Sequence, residues 1–182
     1  MELRLPVGRR AFVAGGLAST IAGFATPARA RRGMHPDAAA LELQGVPPGT
    51  IVISQSRRRL FLTQEGGAAL SWPVAIGRGG RAWSGWARIE GKYVQPAWSP
   101  PAEVRRDNPR LPPVIPGGSP ANPMGARAMT LDRSEIAIHG TTASMRASIG
   151  TAASYGCIRM LNEHVIDLYD RVGVGTKVLA VR

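Results

Sequence analysis

The chain has 182 residues, 44% of them hydrophobic, and 23 Lys and Arg against 12 Asp and Glu give a formal net charge of +11. That length suits one domain with a sizeable core, and the surplus of positive charge favours anionic partners such as phospholipid headgroups or carboxylate-rich polymers. The single cysteine excludes any disulfide within the chain.

Residues 1–30 read as a segment apart. Arg4, Arg9 and Arg10 precede the apolar run Ala11–Leu17, which continues through Ile21 and Phe24 to Ala28-Arg29-Ala30. This is the pattern of a secretory signal peptide cleaved near Ala30, and its apolar part is too short to span a membrane. Arg9-Arg10 before an apolar segment diluted with Gly and Ala resembles a twin-arginine export signal. The expectation is a periplasmic protein with no membrane span, and export argues against nucleic acid as the anionic partner. Four arginines and one glutamate lie in this segment, leaving +8 for the remainder. Residues 31–46, with His35 and Pro36, read as a spacer, and residues 47–182 as the domain.

Within the domain, Thr50–Ser54 and Arg59–Thr63 are short β-branched or apolar runs, the second closed by Gln64-Glu65-Gly66-Gly67. Ala68–Ile76 reads as a third strand ending at Gly77. Short strands between turn residues, with no long helical period, predict a mainly β domain. Nine of the fifteen prolines then fall between Pro96 and Pro123, which excludes a long strand or helix there. Such a loop in a compact domain is functional or disordered, and Trp83, Trp86 and Trp98 nearby argue for order. Ala128–Leu131 and Glu135–His139 read as strands. A single C-terminal helix opens at Asn162, with Val165, Leu168, Tyr169 and Val172 on one stripe, Asn162 as its cap and Gly173 as its stop. Lys177–Val181 is the last strand.

An exported protein usually spends cysteines in pairs, so a lone one is either an inert small hydrophobe or a thiol kept for chemistry. Cys157 sits in Ser154-Tyr155-Gly156-Cys157-Ile158-Arg159-Met160. A nucleophilic thiol needs a base, and three histidines are available. His35 lies in the spacer and His164 reads as a surface residue, whereas His139 ends a strand before Gly140. A backbone carbonyl can orient its imidazole where no carboxylate does. Gly156 lets substrate approach and frees the backbone, so that N–H groups of this turn can face an oxyanion. Arg159 is suited either to a forked grip on a substrate carboxylate or to an ion pair with Asp132 or Asp167. No metal-ligand spacing and no phosphate loop is present, so no metal and no cofactor is expected.

Ile138-His139-Gly140-Thr141, followed by Ser154-Tyr155-Gly156-Cys157-Ile158-Arg159-Met160 and Asn162, resembles the L,D-transpeptidase catalytic domain (the YkuD-like fold). The likeness extends to Pro96–Pro101, Gly117–Gly125 and Gly175–Val178, so it covers about residues 48–182. It implies a β-sandwich-like fold with the site under a lid. It further implies a cysteine that attacks the diaminopimelate–D-Ala bond of a peptidoglycan tetrapeptide stem, forms a thioester, and passes the acyl group to an amine. Other members attach a protein to the wall or let water finish the reaction, and a non-catalytic wall-binding domain is the remaining alternative. Carried over, Cys157 is the nucleophile, His139 the base, and the Gly140 carbonyl its orienter. Ser154, Tyr155, Gly156 and Arg159 then face substrate. One departure stands out: the family's common Ser-His-Gly-Cys has Tyr155 in place of the His.

Overall fold

A computed structural model describes residues 43–182; the expected signal peptide and most of the spacer lie outside the described residues. Ten strands and two short α-helices follow one another in this part of the chain. In order they are β1 (Ile51–Ser54), β2 (Arg59–Thr63), β3 (Ala69–Pro73), β4 (Ile76–Gly77), β5 (Gly85–Val94), α1 (Ala102–Asp107), β6 (Arg127–Leu131), β7 (Ala137–His139), β8 (Ala152–Ser154), β9 (Ile158–Arg159), α2 (Asn162–Arg171) and β10 (Lys177–Val181). The mainly β expectation holds.

Eight strands form one curled sheet in the order β3-β2-β1-β10-β5-β6-β7-β9, and β4 pairs with β8 in a small second sheet. β1 is the apolar run Ile51-Val52-Ile53, and all four of its residues are buried, as a strand covered on both faces requires. Ile51 and Ile53 enter the main core, while Val52 packs with Phe61 in a smaller cluster on the opposite face. β5 turns the corner. Gly85–Arg88 pair with β10, Ile89–Val94 pair with β6, and the register shifts between Ile89 and Gly91. A bulge of this kind bends a strand and lets one ribbon serve two halves of a sheet.

α2 packs against β6 and β7. Val165 and Leu168 are fully buried and Val172 nearly so, which is the predicted stripe. Each fully buried aliphatic side chain contributes roughly 1.5–3 kcal/mol, so this face fixes the helix beneath the strands that carry the site.

Four local expectations need correction. The run Ala68–Ile76 is not one strand. Pro73 has no N–H to continue the ladder with β2, and the chain leaves that sheet so that Ala75 pairs with Arg159 instead. Asn162 does not cap α2: the cap position is Leu161, and the Asn162 side chain points elsewhere. The helix ends in extended backbone at Val172, one residue before Gly173. His164 is half-buried rather than on the surface, because the start of α2 lies against the body of the domain. Among the described residues no helix is long and apolar enough to cross a membrane.

Candidate active site

β7 and β9 are parallel neighbours, with Ile138 opposite Ile158 and His139 opposite Arg159. Side chains alternate along a strand, so His139, Arg159 and Cys157 (two residues before Arg159) share one face. β9 is held on both edges. Met160 N–H donates to the His139 carbonyl at 2.8 Å, and Ala75 and Arg159 exchange hydrogen bonds of 2.8 and 3.0 Å. The face opens on a cleft of about 1250 Å³ lined by His139, Ser154, Tyr155, Cys157 and Arg159, with Trp98 and α1 on its far side.

The turn bearing Cys157 is built by its neighbours. Gly156 has φ 131°, a conformation that L side chains avoid, and a Cβ there would press on Ile136. Ser154 is buried, and its hydroxyl donates to the Cys157 carbonyl at 2.6 Å while accepting from Gly156 N–H at 3.1 Å. That bond engages the Gly156 N–H inside the turn rather than toward a substrate. The Cys157 thiol donates to the Glu135 carbonyl at 3.3 Å. Glu135 reaches this orientation with φ 60°, uncommon for a residue with a side chain.

His139 is 4% exposed, and its Nδ1 lies 3.0 Å from the Pro123 carbonyl. Burial, and then the nearby Arg159 charge, lower its pKa from 6.5 to about 4, against the opposing pull of the Gly140 and Pro123 carbonyls. Burial likewise pushes the Cys157 thiol up, outweighing the Ala137 N–H and the Arg159 charge. Both groups are therefore neutral at neutral pH. The face thus carries an un-ionised imidazole and an un-ionised thiol.

Arg159 is 8% exposed. Its guanidinium donates to Ser148 Oγ at 2.8 Å, while its Nε is buried without a hydrogen-bond partner. The ion-pair alternative is not what the structure contains. Asp132 accepts from Arg88 N–H at 2.7 Å, and Asp167 pairs with Arg171 at 2.7 Å. Ser148 belongs to a 3-10 turn (Ala143–Ser148) that Arg146 ties to Glu163 at the start of α2.

Two asparagines matter more than their sequence context suggested. Asn122 is 3% exposed and shares its amide protons among the carbonyls of Pro96, Ile115 and Pro116, at 2.9, 3.2 and 3.0 Å. It also accepts from Met124 N–H at 2.9 Å. A proline-rich stretch is short of N–H donors, and this side chain supplies them. The long loop is thus ordered, and it ends by presenting the Pro123 carbonyl to His139. Asn162 Oδ1 accepts from Ala126 and Thr141 N–H at 3.0 and 3.1 Å, so closely packed that a Cβ at Gly125 or Gly140 would strike it. It ties the two backbone segments flanking His139 to α2.

Tyr155 occupies the cleft rim with its phenol bound to Asp107 of α1 at 2.8 Å and its ring 4.2 Å under the Arg78 guanidinium. Of the three tryptophans near the loop, Trp98 lines the cleft, Trp83 packs against the core and Trp86 stands exposed on β5.

Known proteins resemble this chain in sequence and fold. Residues 48–179 match the family model described as YkuD, L,D-transpeptidase catalytic domain. The chain is 38% identical over 137 residues to the "Probable L,D-transpeptidase YbiS" of Escherichia coli K12, covering 70% of this chain and 43% of that protein. It is 38% identical over 135 residues to the "Probable L,D-transpeptidase ErfK/SrfK" of Salmonella typhimurium, covering 70% and 42%. The chain thus spans less than half the length of these curated relatives. Among solved structures, the L,D-transpeptidase from Mycobacterium smegmatis superposes with a TM-score of 0.57 at 15% identity, covering 73% of this chain and 58% of that one. L,D-transpeptidase 3 from Mycobacterium tuberculosis does so at 0.58 and 14%, covering 75% and 62%; at these identities the likeness concerns the fold. The family match over residues 48–179, together with the relatives at 38% identity, places this chain in the L,D-transpeptidase catalytic domain family.

Proposed function

We propose that the domain is a cysteine acyltransferase acting outside the cytoplasm on peptidoglycan stem peptides. The observation that carries this reading is the shared face of β7 and β9, where a neutral imidazole and a thiol lie beside a buried arginine with no carboxylate partner. In the proposed reaction His139 takes the thiol proton as Cys157 Sγ attacks the carbonyl that precedes D-Ala. Pro123 and Gly140 carbonyls hold the resulting imidazolium, and the backbone N–H of Cys157 serves the oxyanion. His139 then gives the proton to the departing D-Ala amine, leaving a thioester. An amine of a second stem attacks the thioester carbonyl, the C–S bond breaks, and an amide forms. Arg159 offers its unpartnered Nε to a carboxylate of the stem.

The net charge of the chain suits a carboxylate-rich polymer. The signal-like residues 1–30 support export to the periplasm, with the twin-arginine route as the finer reading, and a wall-anchored protein is an alternative acceptor.

The test is to incubate the protein with a carbapenem and with disaccharide tetrapeptides, following intact mass and products. The expected result is an adduct on Cys157, release of D-Ala and cross-linked dimers, all absent from Cys157→Ala. A wild type that forms no adduct and releases no D-Ala would falsify the reading. Release of D-Ala with tripeptide and no dimer would replace the transferase by a hydrolase.

A further inference from the structure

The six-residue helix α1 overhangs the cleft and supplies its Glu103, Val104 and Arg105 wall. Its only buried residue is Val104, so the core does little to hold it. The neighbouring parts of the proline-rich loop are fixed otherwise, by the paired hydrogen bonds of Trp98 and Ile115 and by Asn122. What fastens α1 is a polar cluster at the rim of the cleft. Tyr155 Oη donates to Asp107 Oδ2 at 2.8 Å, and Arg78 reaches the same oxygen at 3.3 Å. Arg81 forks onto both carboxylate oxygens of Glu103. Both arginines also approach the Tyr155 ring, their guanidinium carbons 4.2 and 5.6 Å from its centroid. The phenolic hydrogen bond is also the first cause of the lowered pKa of Asp107, so the carboxylate that accepts it is held in its charged form.

We infer that Tyr155 is a positioning residue that latches α1 across the mouth of the cleft, and that this latch selects an amine over water as acceptor of the Cys157 acyl group. The inference rests on the acyl-transfer reading. Its chemistry is a competition at one carbonyl. If the amine nitrogen attacks, a C–N bond forms, the C–S bond breaks, and the amine proton passes through His139. If a water oxygen attacks, a C–O bond forms, the same C–S bond breaks, and the product is the free tripeptide acid. A wall fixed two residues from the nucleophile excludes bulk water while leaving a seat for a bound acceptor. Individually exposed ion pairs of this sort contribute little. The tyrosine differs because it couples the nucleophile's own turn to α1.

The test compares the wild type with Tyr155→Phe, Asp107→Asn and the double variant, each as the full purified chain. Hydrogen exchange over residues 102–108 reports the latch, and the ratio of tripeptide to cross-linked dimer reports the acceptor. That ratio is independent of how fast the acyl-enzyme forms. Each single variant is expected to speed exchange in 102–108 and to raise the product ratio about threefold to tenfold, the span that a net hydrogen bond supplies. Residues 136–139 and 158–160 should exchange as in the wild type, and the double variant should go no further than the stronger single one. Unchanged exchange overturns the latch, and so do effects that simply add in the double variant. Faster exchange with an unchanged ratio overturns the selection of acceptor. A wild type that releases no D-Ala removes the acyl-transfer reading itself, and its exchange pattern separates that failure from a failure of the latch.

Discussion

The two sides of the cleft are built on different principles. On one side His139 and Arg159 stand on β7 and β9, with Cys157 in the turn that enters β9, and these two strands are bonded to each other, to Ala75, and through β6 to the rest of the sheet. On the other side the wall comes from residues 96–123, where prolines remove ladder donors and side chains replace them. Main-chain ladders place reacting atoms with little tolerance for drift. A wall held by a single backbone bridge, one buried amide and a few charged side chains can change shape by single substitutions. In the proposed reaction the first side carries the chemistry and the second controls access.

The strand side should fail globally. Leu168→Ala removes a fully buried side chain from the helix beneath β6 and β7, and is expected to cost about 2–5 kcal/mol in urea unfolding. His139 ties this side to pH. His139 keeps a native pKa near 4, whereas the unfolded chain takes up a proton below 6.5. Stability contributed by the neutral ring is therefore full above pH 6.5 and falls as pH drops toward 4, by on the order of 3 kcal/mol. Thermal melts across that window check the sign, and stability that rises on acidification through it would contradict the burial of a neutral imidazole. The acid limb of carbapenem acylation should lie near pH 4 rather than 6.5 for the same reason.

The loop side should fail locally. Asn122→Ala strips donors from three carbonyls and is expected to cost about 1–3 kcal/mol. Its effect on acylation should exceed what the loss of stability explains, because the Pro123 carbonyl is released together with the loop. Equal acylation rates at equal folded fraction would erase the distinction between the two sides. Glu163→Gln marks the small end of the series. Its carboxylate is held down to about 2 mainly by Arg146, but both side chains are about half exposed, so the change should be within about 0.5 kcal/mol. A double-mutant cycle with Arg146→Gln measures it.

How far the sequence reached follows the same division. A lone thiol and a strand-ending histidine single out Cys157 and His139 from local context, and both line the same cleft; the stripe of α2 is legible from its periodicity. β5 was missed although Ala87 and Ile89 alternate with Trp86, Arg88 and Glu90, because glycines at 85 and 91 obscured the pattern. Local rules favour a capping role for Asn162 at the helix start. Its actual partners, Ala126 and Thr141, lie 36 and 21 residues away, and no spacing rule points to them. Asn122 lies within the Gly117–Gly125 stretch of the resemblance, but nothing local names the carbonyls of Pro96, Ile115 and Pro116 as its partners. What escaped is what depends on distant backbone atoms finding a side chain. Tyr155 was legible as a departure from a motif, but its partner Asp107 was not.

The carbonyl of Pro123 facing His139 carries one more consequence. A carboxylate in that position could be deleted by changing one codon, whereas a main-chain oxygen is present whatever residue occupies the site. The orientation of the His139 imidazole is thereby shielded from direct mutation at its own contact. It stays exposed to inheritance through position 122, the amide that holds that stretch of backbone in place. Substitutions that reorient the His139 imidazole should be found there, one residue before the carbonyl that it meets.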